Sequence, residues 1–431
     1  MNLLSLLAGL TRRDPHATIA VDAHPDKPVH VSRAELWRRT LQLRADLATA
    51  GVGRGDAVAL WLPAWSDVLT WHIATASLGA HAIGLAPAHD STFAAAVVER
   101  ARPKVVALPS DTGLTGVLRE AITGAAAPVP AVAVVAGPHE DPPIDPSGHD
   151  IGGGAWLPSA AAAGMPMPKT GGDELAVAFP AAGSAPVAFR ESAVVRHALA
   201  CAGTLGIRAD DVVACTRPLS EPLGFATAAA AIAGGGTCLL QPVPGGADTG
   251  DTVLTDVARF DVTHVVADDE AALRLAGSRP GTRRDLSSWR RLVVVDVPGG
   301  AAEAAAWAEK ELGTVVTCGY RSPAVLAPAA LWPPEVAAPL RWSAGGHPVS
   351  PRLEVRVVDP VTERPVSEGE RGELQFRGAG VVDAYLGEPH AVPGTADGWL
   401  ASGDLGTPAD DGGFTYAGRV PDGTRAGRES P

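Results

Sequence analysis

Three stretches of this chain hold side chains that could do chemistry. Residues 397–406 (DGWLASGDLG) are followed by Tyr416, Gly418 and Arg419, so that a carboxylate, Asp404, and a guanidinium, Arg419, each sit beside glycine. Residues 319–324 (GYRSPA) centre on Tyr320, and residues 179–189 (FPAAGSAPVAF) hold Gly183 and Ser184. Taken singly, these have plain readings: Asp404 as a turn residue, Arg419 as a surface charge after a glycine, Tyr320 as a core or lining aromatic. No Walker loop, HExxH helix or GxSxG elbow occurs. Residues 51–55 (GVGRG) follow a helical stretch and precede a strand, the wrong order for a dinucleotide loop, and read as a turn. Cys201, Cys215, Cys238 and Cys318 are scattered in apolar stretches without CxxC spacing and read as buried reduced thiols. No metal site is expected. His72, His81 and His264 lie on apolar elements and read as packing residues, and Glu373 as structural.

The elements that must position these residues have room to do so, because 431 residues suffice for a large buried core. A net charge of −13 supplies no basic stripe, so nucleic acid is not an expected partner. The leucine-rich run from Leu3 to Leu7 lacks a basic flank and reads as an amphipathic helix rather than a signal peptide. No apolar stretch is long enough to span a bilayer, and the expected location is cytoplasmic. Positive charge is almost all arginine: the only lysines are Lys27, Lys104, Lys169 and Lys310.

Ser32 with Glu35 predicts a capping box opening a helix that carries Leu36, Leu43 and Leu47 and stops at Gly51. Strands follow at 57–62, 81–85 and 104–108, with helices over 65–78 and 92–102, which is the grammar of a parallel sheet covered by helices. Between about Gly137 and Gly172, crowded Pro, Gly and Asp read as a long surface loop. Strands resume at 212–215, 237–240, 264–266, 292–295 and 315–317, with a helix over 301–312. From about Trp342 the period becomes two, with Leu353, Val355 and Val357 alternating with Glu354 and Arg356, and predicts antiparallel strands. The expected fold is α/β: two parallel-sheet lobes (1–172 and 173–341), a small barrel-like antiparallel lobe (342–420) and a tail (421–431).

The chemistry-bearing stretches, together with GRGD at 53–56, PLSEPLG at 218–224, GGHP at 345–348 and GERGEL at 369–374, occur in an order that resembles the acyl-adenylate-forming superfamily of acyl-CoA synthetases, peptide-synthetase adenylation domains and luciferases. The resemblance spans nearly the whole chain. It implies that Asp404 and Arg419 hold the ribose hydroxyls of an adenylate, that Tyr320 stacks on adenine, and that Gly183 and Ser184 belong to the phosphate loop. In that superfamily a small C-terminal domain carrying a catalytic lysine follows, and the expectation here is a large domain without it.

The departures concentrate where phosphates would sit. A phosphate loop needs glycine amides, hydroxyls and a lysine. Here Pro180 lacks an amide donor, and Val187 or Ala188 stands where the lysine belongs. Ala324 replaces the glutamate that helps hold Mg²⁺ in the superfamily, Glu221 replaces a histidine, and Pro421 occupies the hinge position. The resemblance therefore implies AMP or an acyl-adenylate as ligand, with ATP and Mg²⁺ doubtful. The expected function is a divergent acyl-activating ligase homologue that binds a carboxylic acid or acyl-adenylate and works with a partner ligase or carrier protein. A pseudoenzyme serving as a scaffold, and an independently active carboxylic acid–CoA ligase, stand as alternatives. No catalytic residue and no particular acid is assigned.

Overall fold

Strands of the central sheets read as short apolar runs because both of their faces are covered. In the strand Arg291–Val295, Val293 and Val295 join one apolar cluster while Leu292 and Val294 join another, and Val58 and Leu60 part from Ala57 and Ala59 in the same way. The computed structural model describes residues 1–86, 89–110, 113, 116–118, 120, 130–140, 172–180, 185–241, 250–278, 284–295, 301–388, 391, 393–395 and 397–421. The expected loop over 137–172 and the tail from 422 lie almost wholly outside them.

Among the described residues there are two sheets. The smaller runs Ala384–Tyr385, Val187–Arg190, Leu175–Phe179, His81–Gly84, Ala57–Leu60, Val105–Pro109, Ala131–Val135, parallel except on either side of Val187–Arg190. The larger has a parallel centre, Val315–Ser322, Arg291–Val295, His264–Ala267, Val212–Cys215, Thr237–Leu240, Thr18–Asp22. Val29–Ser32 closes one edge, and antiparallel strands from Val325–Leu331 to Leu353–Val358 extend the other. Helices Ser66–Ser77, Glu191–Leu205 and Pro222–Gly234 pack between the sheets, and their residues form one continuous core with both.

The α/β reading holds, with two differences in detail. The sheets do not follow the limits at 172 and 341: the hairpin Thr18–Asp22/Val29–Ser32 joins the larger sheet beside Thr237–Leu240, while Leu175–Phe179 and Val187–Arg190 complete the smaller one. The expected helix over 301–312 is α-helical only to Trp307 and widens to a π turn over Ala308–Leu312. That widening directs Glu309 to the amide of Val316 at 2.9 Å and to the guanidinium of Arg341. Among the described residues, no helix is long and apolar enough to cross a membrane.

Burial of histidine in this core has a measurable consequence. His72 lies against Phe225 with ring centroids 4.6 Å apart, and neither ring nitrogen has a hydrogen-bond partner. Burial pushes its pKa down to about 3, and those of His81 and His197 to about 4. Below 6.5 the unfolded chain therefore binds protons that the folded chain refuses, so these histidines make stability fall as pH drops from 6.5 towards 4. Asp22 (about 6) and Glu191 (about 7) act in the opposite sense across that window, because burial raises their pKa values. His72→Phe removes two unpaired polar atoms that cost roughly 1–3 kcal/mol. It should raise the melting temperature and flatten the acid limb of a stability–pH curve; a lower melting temperature with an unchanged limb would refute this account.

Candidate functional site

Asp404 and Arg419 face one another across the antiparallel pair Leu400–Pro408 and Phe414–Arg419, and Tyr320 reaches them from the C-terminal part of Val315–Ser322. The Tyr320 hydroxyl donates to Asp404 Oδ2 at 2.6 Å, and Arg419 Nε lies 3.5 Å from Asp404 Oδ1. Gly403, at φ +77°, sits in the bulge between Ala401 and Leu405, which sets this carboxylate against both partners. The Gly403 amide donates to Glu373 Oε1 at 3.2 Å, which gives Glu373 a structural role, and the Asp404 amide donates to Ser402 Oγ at 3.1 Å. Asp404 is only 8% exposed at its side chain, whereas Arg419 is 73% exposed. Burial raises the Asp404 pKa, opposed by the Tyr320 hydrogen bond and the Arg419 charge. Burial, together with the neighbouring Asp404, holds the Tyr320 phenol well above its usual range, so Tyr320 stays neutral and remains the donor. The result is a fixed, part-buried acceptor beside an open cation.

The structure thus brings Tyr320, Asp404 and Arg419 together. Gly183 and Ser184 lie outside the described residues. Tyr320 does not present a ring to a ligand: it is 2% exposed, stacked on Phe376 at 5.6 Å and 11°, and met edge-on by Phe414 at 5.3 Å. Its aromatic neighbours come from strands of the antiparallel region, and the contact it makes in this site is the hydroxyl held on Asp404. Val187 and Ala188 are buried in the strand that pairs with Phe179 and Ala178. Ala324 packs on the main core, and its carbonyl accepts from the Val382 amide.

A cavity of about 400 Å³ opens at the same edge of the parallel strands. Cys215 and Gln241 stand at the carboxyl ends of their strands in the larger sheet, and Ala86 lies just past His81–Gly84 in the smaller. Loops outside the carboxyl ends of parallel strands are where such sheets hold ligands. Arg217 forks onto Glu221, with Nε–Oε2 2.8 Å and Nη2–Oε1 2.7 Å, and reaches Asp268 at 3.1 Å. Glu221, the residue in place of the histidine, is therefore half of an ion pair in the cavity wall. Two glycines let the wall close: a Cβ on Gly224 would lie 2.1 Å from the Pro218 carbonyl oxygen, and one on Gly84 2.3 Å from that of Ser220. Burial raises the Cys215 and Cys238 thiols to about 11 and about 12, so neither is a nucleophile at neutral pH.

The family model for AMP-binding enzymes matches residues 10–386. The chain belongs to the AMP-binding enzyme family. A stretch of 153 residues is 33% identical to 4-coumarate–CoA ligase-like 6 of Oryza sativa subsp. japonica, covering 35% of this chain but only 25% of that protein. The anthranilate CoA ligase AuaEII in complex with anthranoyl-AMP superimposes with a TM-score of 0.82 at 18% identity, over 97% of this chain and 77% of that one. ATP-bound MatB from Rhodopseudomonas palustris gives 0.80 at 21%, over 98% and 80%. At those identities the structural likeness establishes the fold alone. Together these findings make the chain an acyl-activating ligase homologue of this family.

Proposed function

We propose that this chain binds AMP or an acyl-adenylate and acts with a partner ligase or carrier protein in carboxylic-acid activation. The observation that carries the reading is the Asp404 carboxylate, fixed by Tyr320 beside the exposed Arg419 at the sheet edge that also opens the 400 Å³ cavity. In this reading Asp404 accepts hydrogen bonds from ribose hydroxyls, Arg419 donates to the same sugar, and the acyl group occupies the cavity between the Arg217–Glu221 wall and Ala86. Gly183 and Ser184 contribute an amide and a hydroxyl towards the α-phosphate. The anthranoyl-AMP complex of AuaEII supports an adenylate as the ligand class.

ATP with Mg²⁺ is the weaker candidate. Val187 and Ala188 offer no charge to the β- and γ-phosphates, and Ala324 offers no carboxylate to a metal. Calorimetric titration should show AMP or an acyl-sulfamoyl adenosine binding at least as tightly as Mg-ATP. Magnesium-dependent binding of ATP ten times tighter than AMP would overturn the phosphate argument. Absence of binding by all three would leave the scaffold alternative.

A further inference from the structure

At the opposite edge of the larger sheet, where its parallel strands begin, the structure holds a second depression of about 290 Å³. Arg208, Arg290, Arg291 and His264 line it, with Gly206 and Val315. Arg291 and His264 are register partners at the first positions of adjacent parallel strands, which sets their side chains on one rim. Three arginines thus line one depression in a chain of net charge −13.

Among the described residues, packing accounts for only one of them. Arg290 pairs with Asp211, which is 1% exposed and also accepts from the Arg208 amide at 2.8 Å. Neither the Arg208 nor the Arg291 guanidinium has a hydrogen-bond or ion-pair partner among the described residues. The helix Glu191–Leu205 ends at the cavity, and arginines there could serve its free carbonyls. Three of its last four carbonyls are taken by other groups: Ala202 and Gly203 accept from the Gly206 amide, and Leu205 accepts from His264 Nε2 at 3.2 Å. Satisfying the last turn in this way also blunts its repulsion of an anion. His264 is neutral through burial, so the positive charge of the cavity is that of the arginines.

We propose that this depression is an anion site for a small phosphate-bearing molecule, with Arg208 and Arg291 as its direct ligands and Arg290 held at its side by Asp211. Planar guanidinium forks match phosphate oxygens in pairs, which an ammonium does not, and phosphate is the small anion that best uses several of them. The site is separate from the proposed adenylate site, because it lies at the amino ends of strands whose carboxyl ends carry Cys215 and Tyr320.

The test is titration of the intact chain with inorganic phosphate and with pyrophosphate at constant ionic strength, using chloride as the control. Saturable binding is expected, at least tenfold weaker in R208A/R291A and partly retained in R208K/R291K, whose charge is unchanged. AMP titrated into the Asp404→Ala protein distinguishes a phosphomonoester from free phosphate: binding that R208A/R291A removes assigns the site to phosphomonoesters, and its absence beside saturable phosphate assigns it to the inorganic anions. Because Arg208 and Arg290 are exposed and Arg291 is half-buried, the melting temperatures of the unliganded variants should match the parent. No saturable binding by the parent, binding matched by chloride, or phosphate affinity equal in the parent and R208A/R291A would overturn the proposal. Should the alanine pair fail to fold, an affinity in the lysine pair indistinguishable from the parent overturns the claim for guanidinium forks.

Discussion

No acid-dependent ATP–pyrophosphate exchange above background is expected from this chain, whatever carboxylic acid is supplied. Adenylyl transfer is governed by how well the departing phosphates are held and neutralised. The positions that would carry a phosphate lysine are Val187 and Ala188, 5% and 0% exposed in the strand second from the edge of the smaller sheet. Ala188 faces Ala178 on one side and Ala384 on the other, so Ala188→Lys would bury an ammonium rather than restore activity. Arg190, the nearest cation along the strand, is held by Asp383 at 3.1 Å. Each missing donor typically costs about 10²–10³ in rate, and Ala324 adds the loss of a metal carboxylate. Even with incomplete additivity, a deficit of roughly 10⁴ or more against an intact enzyme is expected. Exchange of labelled pyrophosphate with a mixed panel of acids measures it. Robust exchange would show that an arginine such as Arg190 or Arg321 replaces the lysine, and Arg190→Ala would then identify which.

How much of this was legible before the structure depends on how local the cause is. Val212–Cys215 and Thr237–Leu240 fall where their apolar runs place them, because a strand covered on both faces needs nothing else to be recognised. Ser32 caps its helix by accepting from the Glu35 amide at 3.1 Å, but Glu35 does not return the bond; its carboxylate is held by Arg38 and Arg39 instead. The hairpin at Thr18–Asp22 was not legible. Its partner strand lies more than two hundred residues downstream, where the Thr237 hydroxyl donates to the Thr18 carbonyl, and five short residues between histidines carry no local signal of that pairing. The site divides along the same line. Motif order brought Asp404 and Arg419 into one reading, and the register sets them opposite each other. The environment of Tyr320 depends on Phe376 and Phe414, from strands far along the chain, so its residue type could not tell a stacking platform from a packed donor. Cavity walls assembled from both sheets are further from any local pattern still.

Three substitutions around that carboxylate should separate binding from stability. Asp404→Ala should lower affinity for AMP by roughly 10- to 100-fold, since a charge-assisted hydrogen bond contributes about 1.5–3 kcal/mol. It should also destabilise the fold, because the buried Tyr320 hydroxyl loses its acceptor at a cost of about 1–3 kcal/mol. Tyr320→Phe keeps the carboxylate but removes its donor, so the stability loss should persist while AMP affinity falls less than in Asp404→Ala. Arg419→Ala should do the reverse. Its guanidinium is 73% exposed and 3.5 Å from Asp404, an arrangement worth no more than about 1 kcal/mol to the fold, yet it is the open donor to an arriving ribose. Calorimetric affinity and melting temperature, measured on the same three proteins, give the pattern directly. The decisive member is Arg419→Ala: undiminished AMP binding there would make Arg419 an ordinary surface charge and Asp404 a structural partner of Tyr320, and the ribose reading would fail.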